Sequence, residues 1–340
     1  MRFPGWIARR WSSRNVLKAS LGLLSVTALT SFALYIFLYK NAKTINIQDI
    51  IGHLGFTTFA ITSAIYALAM VFSVIVWGWM MGTVGHNWQW WEHAKIYFIT
   101  TFTRRLPGAI WYMIGRVMMY ERLGVPRTQT IIVGGIEAGV LIASGLVVAL
   151  LAWPTSLLGQ ALSPGWFIAG AIGCVIVLNP QVLGAIIRKV SRQPDIQVSY
   201  PQLLGWMLIH SLTWACNGSI LFALANSIHP LQPSQLPAVI GIGAATGVMS
   251  FLLSIVPFGL GIQEITITVL LTPIIGEADA LIVALLARAV LTFNELLWAI
   301  IGGVWNIQEL YESIRKARIS LSEAKKPKEV EAIEVVPPAK

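Results

Sequence analysis

A chain of 340 residues would ordinarily make two soluble domains, but 56% hydrophobic and 11% charged residues with a mean hydropathy of +0.71 exclude that. Residues 128–187 and 196–263 together hold one carboxylate, Glu137, and no Lys or Arg. The net charge of +9 is not gathered into a basic domain with stacking aromatics, which argues against nucleic acid as a partner. Five basic residues and no acid lie in the first 18 positions, and seven more Lys/Arg follow Asn306. That distribution suits cytoplasmic flanks facing anionic lipid. The expected fold is an all-α polytopic membrane protein that buries apolar surface in lipid as well as in a core.

In chain order, residues 1–17 read as a basic interfacial lead-in, with Trp6 and Trp11 among arginines. The apolar run from Ala19 to Tyr39 is long enough to span ~30 Å at ~1.5 Å per residue, so it is expected to be an uncleaved first span. A second span over about 54–81 runs into a cluster of Trp77, Trp79, Trp88, Trp90 and Trp91, expected to mark the membrane–water boundary. Later spans are expected near 130–152, 165–187, 201–225 and 280–303. Residues 306–340, with Pro327, Pro337, Pro338 and mixed charge, read as a disordered cytoplasmic tail. Cys174 and Cys216 sit in apolar segments away from any metal-ligand spacing, so no metal, disulfide or other cofactor is expected.

Two segments do not behave as ordinary spans. Residues 93–120 contain Arg104, Arg105, Pro107, Gly108 and Arg116. Residues 237–276 are interrupted at Pro257, Gly259 and Gly261 and carry Glu264 just beyond. Irregular backbone at membrane depth survives only where protein or a water-filled cavity satisfies it. If every apolar segment crossed, thirteen Lys/Arg of the connections and termini would lie on the side of the N-terminus and seven on the other. If both broken segments enter and return on one side, eighteen lie inside and two outside, which the positive-inside rule prefers. The predicted architecture is therefore about six full spans plus two re-entrant hairpins, one from each side. Its order suggests an inverted repeat, and opposed broken segments meeting near the midplane point to a transport site. Simple kinking of two ordinary helices by Pro and Gly is the plainer alternative.

The run from Arg104 through Pro107, Gly108 and Trp111 to Arg116, followed by Pro257, Gly259, Gly261 and Glu264, resembles the flippase-like transmembrane region of the lysylphosphatidylglycerol synthase family. Arg288 in the last span fits the same pattern. The resemblance covers about residues 15–305, with Phe258 and Gln263 standing where relatives commonly have Gly and Arg. It implies movement of a lipid or lipid-linked sugar between leaflets, with aminoacylated phospholipid or polyprenyl-linked sugar as the cargo class. The soluble synthase domain is absent from this sequence, so lipid synthesis is not implied and the chain is expected not to be an enzyme.

Each ionisable group inside the membrane needs a reason, since placing one there costs at least ~2.5 kcal/mol. Arg104 and Arg105 could bind a headgroup phosphate through their planar guanidinium forks, or snorkel to the cytoplasmic interface. Pro107 with Gly108, and Pro257 with Gly259 and Gly261, form the expected hairpin tips, whose freed amides could cradle an anion. Glu264 and Arg288 are expected to pair across the bundle or close around a headgroup together. Glu137 has Arg116 as its natural partner, and is otherwise a candidate proton carrier or a neutral, hydrogen-bonded acid. Asn294 and Glu295 are weaker candidates of the same kind, and His210 and Asn217 read as helix-to-helix hydrogen-bonding groups.

The function expected from these residues is translocation of a lipid headgroup across the cytoplasmic membrane, with both termini cytoplasmic. Its partners would be a membrane phospholipid or lipid-linked glycan and the anionic lipid surface, with homo-oligomerisation left open. Two other readings stand beside it. One is a membrane-embedded transferase acting on a lipid carrier, with Glu264 as base. The other is a non-transporting partner that docks a lipid-modifying enzyme through its tail.

Overall fold

The computed structural model describes residues 55–105, 111–152, 198–253 and 262–324, with scattered positions between 165 and 184; the side chains of 104, 105 and 306–324 lie outside the description. The expected first span, most of the span at 165–187, Pro107, Gly108, Pro257, Gly259 and Gly261 fall outside it too. Among the described residues all regular structure is helical, and the chain is an all-α polytopic membrane protein.

In chain order the described helices are α1 (Phe56–Thr83), α2 (Trp90–Thr101), α3 (Trp111–Arg122), α4 (Arg127–Leu151), α5 (Tyr200–Ile228), α6 (Leu236–Leu253), α7 (Ile262–Ile275) and α8 (Glu277–Ala324). One 3-10 turn, Phe102–Arg105, ends α2, and another, Pro233–Gln235, leads into α6. Among the described residues, five stretches are long and apolar enough to cross a membrane: α1, α4, α5, Pro233–Leu253 and Glu277–Trp305. These helices are apolar nearly all round, because one flank meets the bundle and the other meets lipid. Leu204, Leu208 and Ile265 are among the exposed side chains of that outer surface.

The first broken segment is a true helical hairpin. His93 at the start of α2 meets Tyr120 at the end of α3, Nδ1 to Oη 2.7 Å, while Arg116 Nε reaches Thr100 Oγ1 at 3.4 Å near the other end. The arms are antiparallel, and twelve residues each make about 18 Å of helix, short of the ~30 Å hydrocarbon core. The second broken segment, α6 and α7, is deeper. Its first arm is itself among the stretches long enough to cross, where the sequence suggested only a half-depth insertion. The reason is that residues 236–253 contain no charge and no proline after Pro237.

Contacts between helices place the two mouths on opposite faces. Trp79 near the end of α1 meets Trp206 near the start of α5, ring centroids 6.1 Å apart, so these two helices run antiparallel. A Cβ on Gly218 of α5 would fall 2.4 Å from the Ile240 Cα of α6, a backbone approach that only glycine permits. His229 after α5 lies 3.4 Å from Asp279 at the start of α8, and Phe98 of α2 meets Trp298 of α8 at 4.7 Å. One face therefore carries the ends at Thr83, Trp90, Arg122, Arg127 and Tyr200. The other carries Leu151, Ile228, Leu236, Ile275 and Glu277. The α2–α3 hairpin opens to the first face, and the α6–α7 hairpin to the second.

Single cysteines test this arrangement. In a chain with Cys174 and Cys216 replaced by alanine, Asn87→Cys and Ser234→Cys, both at exposed positions, should react with a membrane-impermeant maleimide from opposite sides of sealed vesicles. Labelling of both from one side would contradict the fold.

Two expectations need correction. Trp77 does not face lipid: it is wholly buried and donates from Nε1 to Tyr120 Oη at 2.7 Å. It lies on the face of α1 that meets the α2–α3 hairpin, a fact that clustering with lipid-facing tryptophans conceals. The tail does not begin at 306, because α8 continues to Ala324. Residues 306–324 contain no Gly or Pro and are rich in Glu, Lys, Arg, Leu and Ala, so local helix propensity carries the last span onward until Pro327 approaches.

Candidate functional site

Two ion pairs hold the broken segments to their neighbours. Arg116 of α3 donates from Nη1 to Glu137 Oε2 of α4 at 2.5 Å, and the side chains are 0% and 4% exposed. Tyr97 of α2 donates to Glu137 Oε1 at 3.1 Å. The guanidinium carbon sits 4.0 Å from the Tyr97 ring centroid, 4.1 Å from that of Trp77 and 5.3 Å from that of Tyr112. A planar cation sandwiched between rings suits Arg and not Lys. This cluster joins the first hairpin to α1 and α4, so Arg116 and Glu137 come together as the sequence suggested, inside protein and behind the Tyr97 and Tyr112 rings.

Arg288 of α8 donates from Nη1 to Glu264 Oε1 of α7. A tight turn makes this pairing. Gly276 adopts φ +83°, the left-handed region glycine takes without a Cβ clash, and reverses the chain between α7 and α8. Glu264 and Arg288 lie at equal sequence distances on either side of it and face each other across the antiparallel pair. Glu264 is buried in the first turn of α7, where the helix dipole favours a carboxylate, and its Oε2 has no hydrogen-bond partner. Arg288 keeps 31% of its side chain exposed, near the middle of the stretch that can cross the membrane. This pair, unlike the first, retains access to its surroundings.

Between the two hairpins lies a cavity of about 310 Å³ walled by residues from all eight described helices. From α1 it takes Tyr66, Ala69, Met70 and Ser73, a stripe at helical spacing, and from the first hairpin Tyr97, Thr101 and Tyr112. From α5 come Thr213, Trp214 and Asn217, and from α6 Gly243, Thr246 and Ser250. Gln263 and Ile267 face it from α7, and Ala287, Leu291 and Glu295 from one side of α8. Glu295 is the one lining group with a formal charge among the described residues, and it is buried.

The hydroxyl groups of this wall fall into two sets. Ser73 donates to the Ala69 carbonyl at 2.9 Å, Thr101 to Tyr97 at 2.7 Å and Thr213 to Ile209 at 3.2 Å, each the ordinary back-bond one turn earlier. Thr246 and Ser250, one turn apart on α6, make no hydrogen bond, although both oxygens are buried. Asn217 donates from Nδ2 to the Thr213 carbonyl at 3.1 Å. Trp214 is fixed by donating to the Leu141 carbonyl of α4 at 3.0 Å.

Of the residues singled out in the sequence, Arg116 with Glu137 and Glu264 with Arg288 form two separate pairs, and Trp111 opens α3 half-buried. Arg104 and Arg105 lie in the 3-10 turn at the tip of the first hairpin. Asn294 binds α1 through Ser63 Oγ at 3.2 Å, while Glu295 turns to the cavity. Sequence reasoning missed the hydroxyl and tyrosine wall. Its only trace was Gly243 and Gly247 interleaved with Thr246 and Ser250, small and hydroxyl-bearing residues on one stripe of an uncharged helix. Among the described residues no cluster of His, Cys, Asp and Glu could hold a metal ion.

Comparison of the sequence with known protein families finds no matching family, and no curated protein matches it.

Proposed function

We propose that this chain moves a lipid headgroup across the cytoplasmic membrane, as its resemblance to the flippase-like region of the lysylphosphatidylglycerol synthases suggests. One observation carries the reading. A partly open cavity, whose mainly apolar wall carries Ser, Thr, Tyr, Asn and Glu side chains, lies between two helical hairpins that open to opposite faces, within a bundle whose outer surface is apolar. A headgroup needs a waypoint with such polar contacts, while its tails remain in the lipid outside.

The half-exposed Arg288, paired with buried Glu264, is the charged contact beside this path. A guanidinium at membrane depth attracts a phosphate oxygen, and Glu264 keeps it compensated when none is bound. The first face is the cytoplasmic one in this proposal. Lys95, Arg122 and Arg127 lie towards it, whereas the second-face connections at 229–235 and 276 contain no Lys or Arg. With the expected first span crossing as well, both chain ends lie in the cytoplasm. The cargo belongs to the aminoacylated phospholipid or polyprenyl-linked sugar class.

Purified protein in liposomes containing tail-labelled fluorescent phospholipid provides the test. Arg288→Ala should slow leaflet exchange about tenfold or more relative to the unaltered chain, since one charge-assisted contact is lost and Glu264 is left uncompensated. Equal exchange by Arg288→Ala and Glu264→Ala would remove this pair from the path.

A further inference from the structure

The chemistry of the cavity wall narrows the cargo further, on the reading that the cavity is the headgroup's waypoint. We infer that it receives the polyhydroxylated part of a headgroup, a sugar or similar polyol, and that Thr246 and Ser250 of α6 read its hydroxyls.

The argument starts from the two unmatched hydroxyls. A Ser or Thr in an apolar helix satisfies itself by bonding to the carbonyl one turn back, as Ser73, Thr101 and Thr213 do in this same wall. Thr246 and Ser250 do not, and Thr246 is only 2% exposed, so its oxygen is held away from water without a partner. A buried polar group left in that state is destabilising unless something supplies its hydrogen bond. Each of these hydroxyls both donates and accepts, and so does each hydroxyl of a polyol. An ammonium group only donates and a phosphate diester only accepts, so neither matches a pair of such groups as fully.

The rest of the wall agrees. Asn217 spends an amide hydrogen on its own helix, leaving its carbonyl oxygen to accept. Trp214 and Phe251 present aromatic surface to the same space, and the C–H faces of a sugar ring pack against such surfaces. Glu295 adds a carboxyl group to the same wall. A volume of about 310 Å³ lies at the small end of ligand sites, the scale of a headgroup without its acyl chains.

The test uses the full chain in phosphatidylcholine nanodiscs and five lipids sharing one fluorescent tail: glucosyl diacylglycerol, phosphatidylinositol, phosphatidic acid, lysylphosphatidylglycerol and phosphatidylcholine as the baseline. Saturable binding above baseline is expected for glucosyl diacylglycerol, for phosphatidylinositol, or for both. The first alone assigns a glycosyl source of the polyol, and the second a phospho-polyol. Thr246→Val with Ser250→Ala removes both hydroxyls at nearly constant shape and should weaken that binding about tenfold, with unchanged elution on size exclusion. Binding of phosphatidic acid or lysylphosphatidylglycerol in place of the polyol lipids would overturn the inference. So would polyol binding that the double variant leaves intact, or no saturable binding at all. Leaflet exchange measured on the same preparation separates the two claims. Exchange of a non-polyol lipid without polyol binding overturns this inference alone, and polyol binding without exchange of any lipid overturns translocation alone.

Discussion

Replacing Glu137 by alanine is expected to destabilise the protein by about 3–5 kcal/mol, because it strands the wholly buried Arg116 cation without its counter-charge. The guanidinium cannot swing out to water. It is held between the Trp77 and Tyr97 rings, on the inner face of a hairpin too short to reach the far side. Arg116→Ala should cost a comparable amount, since it leaves the carboxylate uncompensated and empties the space between the rings. The double variant Arg116→Met with Glu137→Leu should recover most of the loss, as apolar replacement of a buried ion pair is often neutral or stabilising. Thermal unfolding in detergent, followed by the monodisperse fraction on size exclusion, reads all three. Single variants as stable as the unaltered chain would mean the pair is not enclosed as described.

The second large effect concerns transport. Ser250→Phe places an aromatic ring at the wall of the cavity, where Thr246, Asn217 and Glu295 face the same space. Exchange should fall to the level of protein-free liposomes, while stability changes by less than about 1–3 kcal/mol, the usual cost of overfilling a packed site. Leu208→Phe on the lipid-facing surface of α5 is the control, and should leave exchange unchanged because Leu208 is 65% exposed. Unaltered exchange in Ser250→Phe would remove the cavity from the path.

Much of this architecture was legible in the sequence for a simple reason. A charge at membrane depth is costly, so the few that occur report their own partners. Glu137 stands alone in a long uncharged stretch with Arg116 in the segment before it, and Glu264 has Arg288 in the only span after it. Pro and Gly beside those charges disclosed the broken helices, and charge bias disclosed that they return. Trp77 was misplaced because a tryptophan near a span end reads alike whether it faces lipid or protein. The polar wall was not legible at all. Thr213 and Thr246 look identical in sequence and both line the cavity, yet Thr213 back-bonds to Ile209 while Thr246 has no partner, a difference that no sequence pattern carries. Helix length was under-read twice for a related cause. Composition sets how long a helix can be, while its neighbours set how deep it lies, and the α6 arm and the extension of α8 to Ala324 show each in turn.

The most direct test of translocation is dithionite quenching of tail-matched, headgroup-labelled lipids in liposomes carrying the unaltered chain or Ser250→Phe at equal density. The account predicts that quenching passes the outer-leaflet half with the unaltered chain for at least one headgroup, and stops at that half with Ser250→Phe. Quenching that stops at the outer leaflet for glycosyl, aminoacyl and simple phospholipid headgroups alike, or that passes it equally in both proteins, would contradict it.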